Sequence, residues 1–506
     1  MKKTVFKGIF FVFLSCLLIA GCQSQSQKDT ALKTDVSVNK LITKLEKDIP
    51  VLMEKARIPG LSIAVIKNGK IIWTEGFGIK NTKTGESVNK YTVFEAASLT
   101  KPFFAFLVMK MVESGELDLD RPLHEYVPQE FLEKRYIRHS IDLEGFRRDW
   151  FERITARMVL SHSSGLPHGG PRKPLPVLFE PGSEWRYSAD GYMCLQRIVE
   201  HIKGERLKDI MLKEIIDPLE MTNSSMVWRE KYETQSAVGH DVFSETTGRF
   251  RKRRSAHSAA SLYTTAEDYA KFVAAVLNDK SLSSETIKKM LTPQIDCEEN
   301  VSWSLGFGLE KTDNGYAFWQ WGDYGIFRNY IVAYKEQKIG IVYLTNSFNG
   351  LSIGQDIVGL AIGGGEDLGL SFLDYDRYDS PGMVFTWTVV EEGMEEAKDL
   401  FHRFRQESPE EFDEGVINRI GYTLLNADRV DEAIEVFKLN VDAFPGSANT
   451  YDSLSDAYIK KEETELAIEA VKKTLEVIPK DTTRDKTFLE NLKNTALEKL
   501  KKLKEK

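Results

Sequence analysis

Two pairs of strand-like runs, set far apart in the chain, constrain its fold more than any other feature. In the first, Leu61-Ser62-Ile63-Ala64-Val65-Ile66 and Ile71-Ile72-Trp73 flank Asn68-Gly69. Asn-Gly between apolar runs is a strong hairpin signal, because both residues accept the positive φ of a tight two-residue turn. The second pair is Tyr330-Ile331-Val332-Ala333-Tyr334 and Ile339-Gly340-Ile341-Val342-Tyr343-Leu344. The sequence between the pairs is helical and loop-rich. Together they predict one antiparallel sheet closed by distant segments and flanked by helices, an α+β arrangement.

At 506 residues the chain exceeds one ordinary domain, and 42% hydrophobic with 28% charged residues is the balance of a folded protein. Its character changes near residue 370. Asp374-Tyr375-Asp376 and Ser380-Pro381-Gly382 read as a polar link over 371–385, so the main domain is expected over 39–370 and an all-helical one over 386–506. In that tail Ala433-Ile434-Glu435, with Pro445, returns as Ala467-Ile468-Glu469, with Pro479. The offset, 467 − 433 = 34, is the tetratricopeptide period. Met394 to Phe404 and Phe488 to Leu503 are expected to flank the repeats as further helices. Such a module is either a docking groove for a protein partner or a stabilising appendage, and the sequence leaves both open.

Residues 1–22 read as an export signal: Lys2, Lys3 and Lys7 precede an apolar core, Ile9 to Ala20, too short for an ordinary membrane span. The core ends in Leu18-Ile19-Ala20-Gly21-Cys22, which resembles the lipobox of bacterial lipoproteins. That resemblance implies acylation of Cys22, a flexible tether over 23–38, and attachment outside the cytoplasm to a membrane by lipid chains. The net charge of −8 argues against a nucleic-acid partner. One basic run, Arg251-Lys252-Arg253-Arg254, is expected as a solvated loop. Cys194 and Cys297 could pair or remain isolated buried thiols. No His-Glu-x-x-His or His-x-His-x-Asp cluster occurs, so neither metal nor cofactor is expected.

Ser98-Leu99-Thr100-Lys101 places a hydroxyl and an amine three positions apart where an apolar helix begins. On a helix that spacing stacks the two side chains on one face. A partly buried Lys sheds its proton easily, and a neutral amine beside a hydroxyl is a base beside a nucleophile. Ser37-Val38-Asn39-Lys40 and Ser87-Val88-Asn89-Lys90 share the pattern, but only Ser98 opens a long apolar run, Phe103 to Val112, stopped at Gly115. The helix start also favours a developing alkoxide. Acyl transfer is the expected chemistry.

Three further segments accompany this motif in order: Leu160-Ser161-His162-Ser163-Ser164-Gly165-Leu166-Pro167, Phe179-Glu180-Pro181-Gly182-Ser183-Glu184-Trp185-Arg186-Tyr187-Ser188, and Ala259 to Asp268. The set resembles the serine β-lactamase superfamily, in its branch of class C β-lactamases, D,D-peptidases and β-lactamase-like esterases, over roughly residues 40–365. The resemblance implies Ser98 as nucleophile, Lys101 as its base, and Tyr187, from the Tyr-x-Asn motif, as a proton carrier to the leaving group. Backbone N–H groups of Ser98 and Asp323 would form the oxyanion hole. Gln320-Trp321-Gly322 aligns with the Lys-Thr-Gly motif and would touch a small-molecule or peptide substrate.

Departures from the family pattern matter. Tyr187-Ser188-Ala189 lacks the amide of Tyr-x-Asn, and Gln320 cannot offer the positive charge of the third-motif Lys. Penicillin turnover is accordingly less favoured than cleavage of a neutral ester, amide or small peptide. Lys83-Thr84-Gly85 is a decoy ahead of the nucleophile. His162 is read as a hydrogen-bonded scaffold residue, while Trp321, Tyr324 and Phe327 are read either as an acyl pocket or as packing. A second expectation stays open: a non-catalytic binding protein of the same fold that holds a partner on its helical repeats.

Overall fold

The computed structural model describes residues 31–132, 147–169, 176–247, 251–364 and 368–505. The export signal, Cys22 and the start of the expected tether lie outside them. Residues 32 and 33, also expected in the tether, are bound to the body: Leu32 bridges to Gly363, and Lys33 donates from its backbone to Ile362 O at 2.8 Å.

The hairpin forms as β1 (Gly60–Lys67) and β2 (Lys70–Gly78), with Asn68 at φ 54° and Gly69 at φ 69°. A two-residue pair, β3 (Phe94–Glu95) with β4 (Tyr263–Thr264), stands apart from the main sheet. The later strands are β5 (Ile295–Glu298), β6 (Val301–Trp303), β7 (Gly308–Thr312), β8 (Gly315–Asp323), β9 (Arg328–Tyr334) and β10 (Ile339–Thr345). The main sheet runs β2-β1-β10-β9-β8-β7-β6-β5, antiparallel throughout. Its closure joins β1 to β10, with Leu61 opposite Thr345 and Ile66 opposite Gly340. The sheet therefore unites the two distant strand pairs. The segment carrying β5 to β8 was read as helical and loop-rich, because β5 and β6 are short and carry no long alternation of apolar and polar residues.

Both faces of the sheet are buried, which is why β1 reads as a nearly unbroken apolar run. One face packs Ile63, Val65, Trp319 and Tyr343 against Leu41, Leu45 and Ile49 of helix Val38–Lys55, whose i, i+4 spacing lines one side. The other face packs Ala64, Ile331, Val342 and Leu344 with helices Thr100–Glu113 and Ala266–Leu277. Helix Thr100–Glu113 is apolar on all sides and buried along nearly its whole length, as a helix through the middle of a core must be.

The C-terminal region is all helix: Pro381–Glu391, Met394–Glu407, Glu414–Asn426, Val430–Ala443, Ala448–Lys460, Thr464–Val477 and Lys486–Lys504. The first of these starts inside the expected linker. Ser380 caps it through Met383 N at 3.4 Å and Pro381 occupies its first turn, so residues read as a link are a helix start. Equivalent helices meet at the 34-residue offset, where the Tyr422 hydroxyl donates to Asp456 Oδ2 at 2.9 Å. The tail is seated on the sheet domain by an Arg57–Glu391 ion pair at 2.5 Å, with the Arg57 guanidinium over the Trp387 ring and Phe243 edge-on to that ring. Among the described residues no helix is long and apolar enough to cross a membrane.

Candidate active site

Ser98 lies in a single 3-10 turn, Ala97–Leu99, that runs directly into helix Thr100–Glu113. Ala97 has φ 48°, a strained value for a residue with a Cβ, and it is held there by a fully packed surround. The turn is anchored on both sides. Ala96 N donates to Leu262 O at 2.9 Å, Leu262 N donates to Thr100 Oγ1 at 3.0 Å, and the Asn329 amide donates to Glu95 O at 3.0 Å. The Ala259–Asp268 segment thus serves as the cradle of the Ser98 turn.

Lys101 Nζ stands 3.0 Å from Ser98 Oγ and 3.1 Å from Ala259 O. The residue is 1% exposed, whereas Ser98 is half-buried. Among the described residues no carboxylate pairs with Lys101; its other neighbours are the rings of Tyr187 at 4.6 Å and Tyr192 at 5.8 Å. Burial pushes its amine down to about 7, so near neutral pH a large share is the free base.

Tyr187 completes the cluster. Its hydroxyl accepts from Gln320 Nε2 at 2.9 Å and is hydrogen-bonded to Ser98. Burial holds its pKa above the ordinary phenol range, with those two hydrogen bonds opposing the rise, so the phenol keeps its proton. Tyr187 also packs against the tilted His162 ring, ring centroids 4.3 Å apart. His162 Nδ1 accepts from Ser188 N at 3.0 Å, and burial, with Lys101 and His168 adding, keeps the ring neutral. His162 therefore props the Tyr187 segment.

Ser188 explains the altered Tyr-x-Asn motif. It is the N-cap of helix Ala189–Lys203, its hydroxyl accepting from Gly191 N at 2.9 Å, and Ala189 is simply the first helical residue. Gln320 was expected to face substrate, yet it is wholly buried: its amide donates to Tyr187 and, at 3.0 Å, to Trp321 O, and Oε1 is left without a partner. Its nearest functional contact is Tyr187. Trp321, half-buried, packs 4.6 Å from the Tyr187 ring. Gly322 is dictated by a close approach, since a Cβ there would lie 2.2 Å from Ala96 O. That approach brings β8, and with it Asp323, against the Ser98 turn.

Other expectations resolve individually. Phe327 is core packing, while Tyr324 is partly open and its hydroxyl donates to Ala260 O. Lys83-Thr84-Gly85 lies in an exposed turn after β2. Cys194 and Cys297 are separate free thiols. The basic run is not a solvated loop, because Arg251 stacks 4.0 Å over the Tyr324 ring and Arg253 Nη2 donates to the Tyr324 hydroxyl at 2.9 Å. Sequence reading missed this contact, as well as His168, whose ring lies 5.5 Å from Tyr187, and Tyr375, bonded to Asp323. The arginines and Tyr375 reach the site from remote segments, whereas His168 directly follows the Leu160–Pro167 segment.

Comparison with known proteins follows the same outline. "Protein flp" of Staphylococcus aureus (strain N315) is 23% identical over 326 residues, 60% of this chain and 62% of that protein, so the chain spans under two-thirds of its curated relative. A solved class C beta-lactamase superposes with TM-score 0.54 at 21% identity, covering 64% of this chain and 97% of its own. D-alanine carboxypeptidase AmpC from Burkholderia cenocepacia gives TM-score 0.53 at 19% identity, covering 64% and 99%. At such identities the solved structures speak for the fold alone. The Beta-lactamase family model matches residues 45–358, which contain the sheet and all four segments described above, and the chain belongs to that family.

Proposed function

We propose that the protein is a serine hydrolase working through an acyl-enzyme on Ser98. The observation that carries this reading is the 3.0 Å contact between Ser98 Oγ and a buried Lys101 amine that has no carboxylate partner among the described residues. In the acylation step Lys101 Nζ takes the Ser98 proton as Oγ bonds to the substrate carbonyl carbon. The resulting oxyanion is received by the backbone N–H groups of Ser98 and Asp323. As the bond to the leaving group breaks, the proton returns from Lys101 through the Tyr187 hydroxyl to the leaving atom. Water then attacks the ester on Ser98 by the same route and releases the acid. The substrate is an ester, an amide or a small peptide, with a β-lactam the less favoured choice because Gln320 brings no charge.

The sequence of residues 1–22 supports export and lipid attachment at Cys22, facing the periplasm or the cell exterior. The helical tail, seated by Arg57 and Trp387, serves as a stabilising appendage or as a site for a protein partner. Ala189, which lacks the family's amide, favours the second reading of a non-catalytic binding protein.

Intact-protein mass spectrometry of the full chain after exposure to a fluorophosphonate separates the two. A stoichiometric adduct on wild type and none on Ser98→Ala is expected. No adduct on either would overturn the hydrolase reading in favour of the binding protein.

A further inference from the structure

The Ser98 turn meets β8 at Gly322, and the two sides of that contact differ in chemistry. Toward Gln320 lies Tyr187, the proton carrier to the leaving group. In the other direction β8 ends at Asp323 and the chain continues into Tyr324. Four residues of extended chain separate Gln320 from Tyr324, roughly 13 Å at about 3.3 Å per residue. Tyr324 therefore marks the side of Ser98 that faces the acyl part of a substrate rather than its leaving group.

That side is cationic. Arg251 lies flat over the Tyr324 ring at 4.0 Å, and Arg253, 5.5 Å from the same ring, donates through Nη2 to the hydroxyl at 2.9 Å. The Tyr324 hydroxyl in turn donates to Ala260 O, while Lys101 Nζ donates to Ala259 O. The catalytic amine and the tyrosine that seats both guanidiniums are thus fastened to consecutive carbonyls of one segment, about 3.8 Å apart by Cα spacing.

Both arginines are half-buried, and among the described residues neither is in an ion pair. Their neighbour Lys252 is, with Glu233 at 2.5 Å. The nearby carboxylate is Glu95, which is buried, accepts from the Arg251 backbone N–H at 3.3 Å and feels the charge of both guanidiniums. Two partly exposed guanidiniums, fixed on one Tyr324 ring by stacking and hydrogen bonding, present paired N–H donors suited to a planar anion.

We infer that Arg251 and Arg253 form a receptor for a carboxylate on the acyl part of the substrate, on the opposite side of Ser98 from Tyr187. The inference rests on the reading of Ser98 as nucleophile and names a substrate class for it. The positive charge that Gln320 does not provide on the sheet is provided here from a different segment.

The test compares two esters that share a leaving group, 4-nitrophenyl hydrogen glutarate and 4-nitrophenyl butyrate, on the full chain. Wild type is expected to prefer the carboxylate-bearing ester in kcat/KM by about tenfold at low salt, with the preference shrinking as ionic strength rises. In Arg251→Gln/Arg253→Gln the ratio should fall toward unity, and Arg253→Lys should restore part of it. If the double variant folds poorly, the salt dependence of the wild-type ratio carries the test. Ser98-dependent hydrolysis of both esters with no preference, or a preference that survives in the double variant, overturns the receptor alone. Hydrolysis absent from wild type, or equal in Ser98→Ala, overturns the active-site reading and the receptor with it.

Discussion

The Tyr375 hydroxyl donates to Asp323 Oδ2 at 2.6 Å, tying a residue outside the family-matched segment to the residue whose N–H is assigned to the oxyanion. Burial and the Asp323 carboxylate hold the Tyr375 proton on, so the phenol is the donor. Arg328 completes the arrangement with an ion pair to the same carboxylate at 3.2 Å and its guanidinium 4.7 Å over the Tyr375 ring. The strap leading to the helical tail thereby fixes the end of β8. Tyr375→Phe is expected to lower kcat/KM for an ester about tenfold with little change in Tm, in line with the loss of a hydrogen bond to a charged group. The loss should be non-additive with Asp323→Asn, and unaltered kinetics in Tyr375→Phe would show that the tie does not position the N–H.

Lys101 sets the pH dependence. In the proposed mechanism its free base is the active form, and burial brings its pKa to about 7, so the rate of Ser98 acylation should rise with pH through a midpoint close to 7. A flat profile from pH 5 to 9 would contradict the assignment of the base.

The same burial has a stability consequence of opposite benefit. Because the Lys101 pKa drops from 10.5 to about 7 on folding, the unfolded chain binds more protons between those values, and stability should increase with pH across that window. Lys101→Met is therefore expected to abolish labelling by a fluorophosphonate while raising Tm at pH 7. A lowered Tm would mean that the Ser98 and Ala259 hydrogen bonds outweigh the desolvation of the amine.

Gln320 acts through Tyr187. Gln320→Leu removes the 2.9 Å hydrogen bond and should slow turnover most where the leaving group needs a proton. The drop should be about tenfold for an alkyl ester and much smaller for a 4-nitrophenyl ester. Equal losses on both would place Gln320 in binding instead.

Gly322→Ala puts a methyl group against Ala96 O, 2.2 Å away, and neither the β8 nor the Ser98-turn backbone can give without loss of register. A destabilisation of about 2 kcal/mol is expected, together with loss of labelling. Denaturant unfolding and fluorophosphonate labelling read the two effects separately.

The sheet's closing strands and the Ser98 helix were legible in the sequence because their signals are local: Asn-Gly between apolar runs, and an apolar run behind a Ser-x-x-Lys. The 34-residue offset in the tail was legible for the same reason. Strands β5 to β8 were not, since short strands such as β5 and β6 carry too little alternation and take their pairing from neighbours. The Ser380-Pro381-Gly382 run was misread because the residues that break a chain's regularity also start helices.

Sequence alone thus picked out Ser98, Lys101 and Tyr187, which the fold brings together, and determined that a sheet must close over a long insertion. Tertiary structure decided what surrounds them: the burial that lowers the Lys101 pKa, the Gln320 amide turned onto Tyr187, the arginines stacked on Tyr324, and Tyr375 reaching back to Asp323. The physical reason is range. Propensity and periodicity act over a few residues, whereas desolvation, ion pairing and hydrogen bonding between distant segments exist only once packing has brought those segments within a few ångströms.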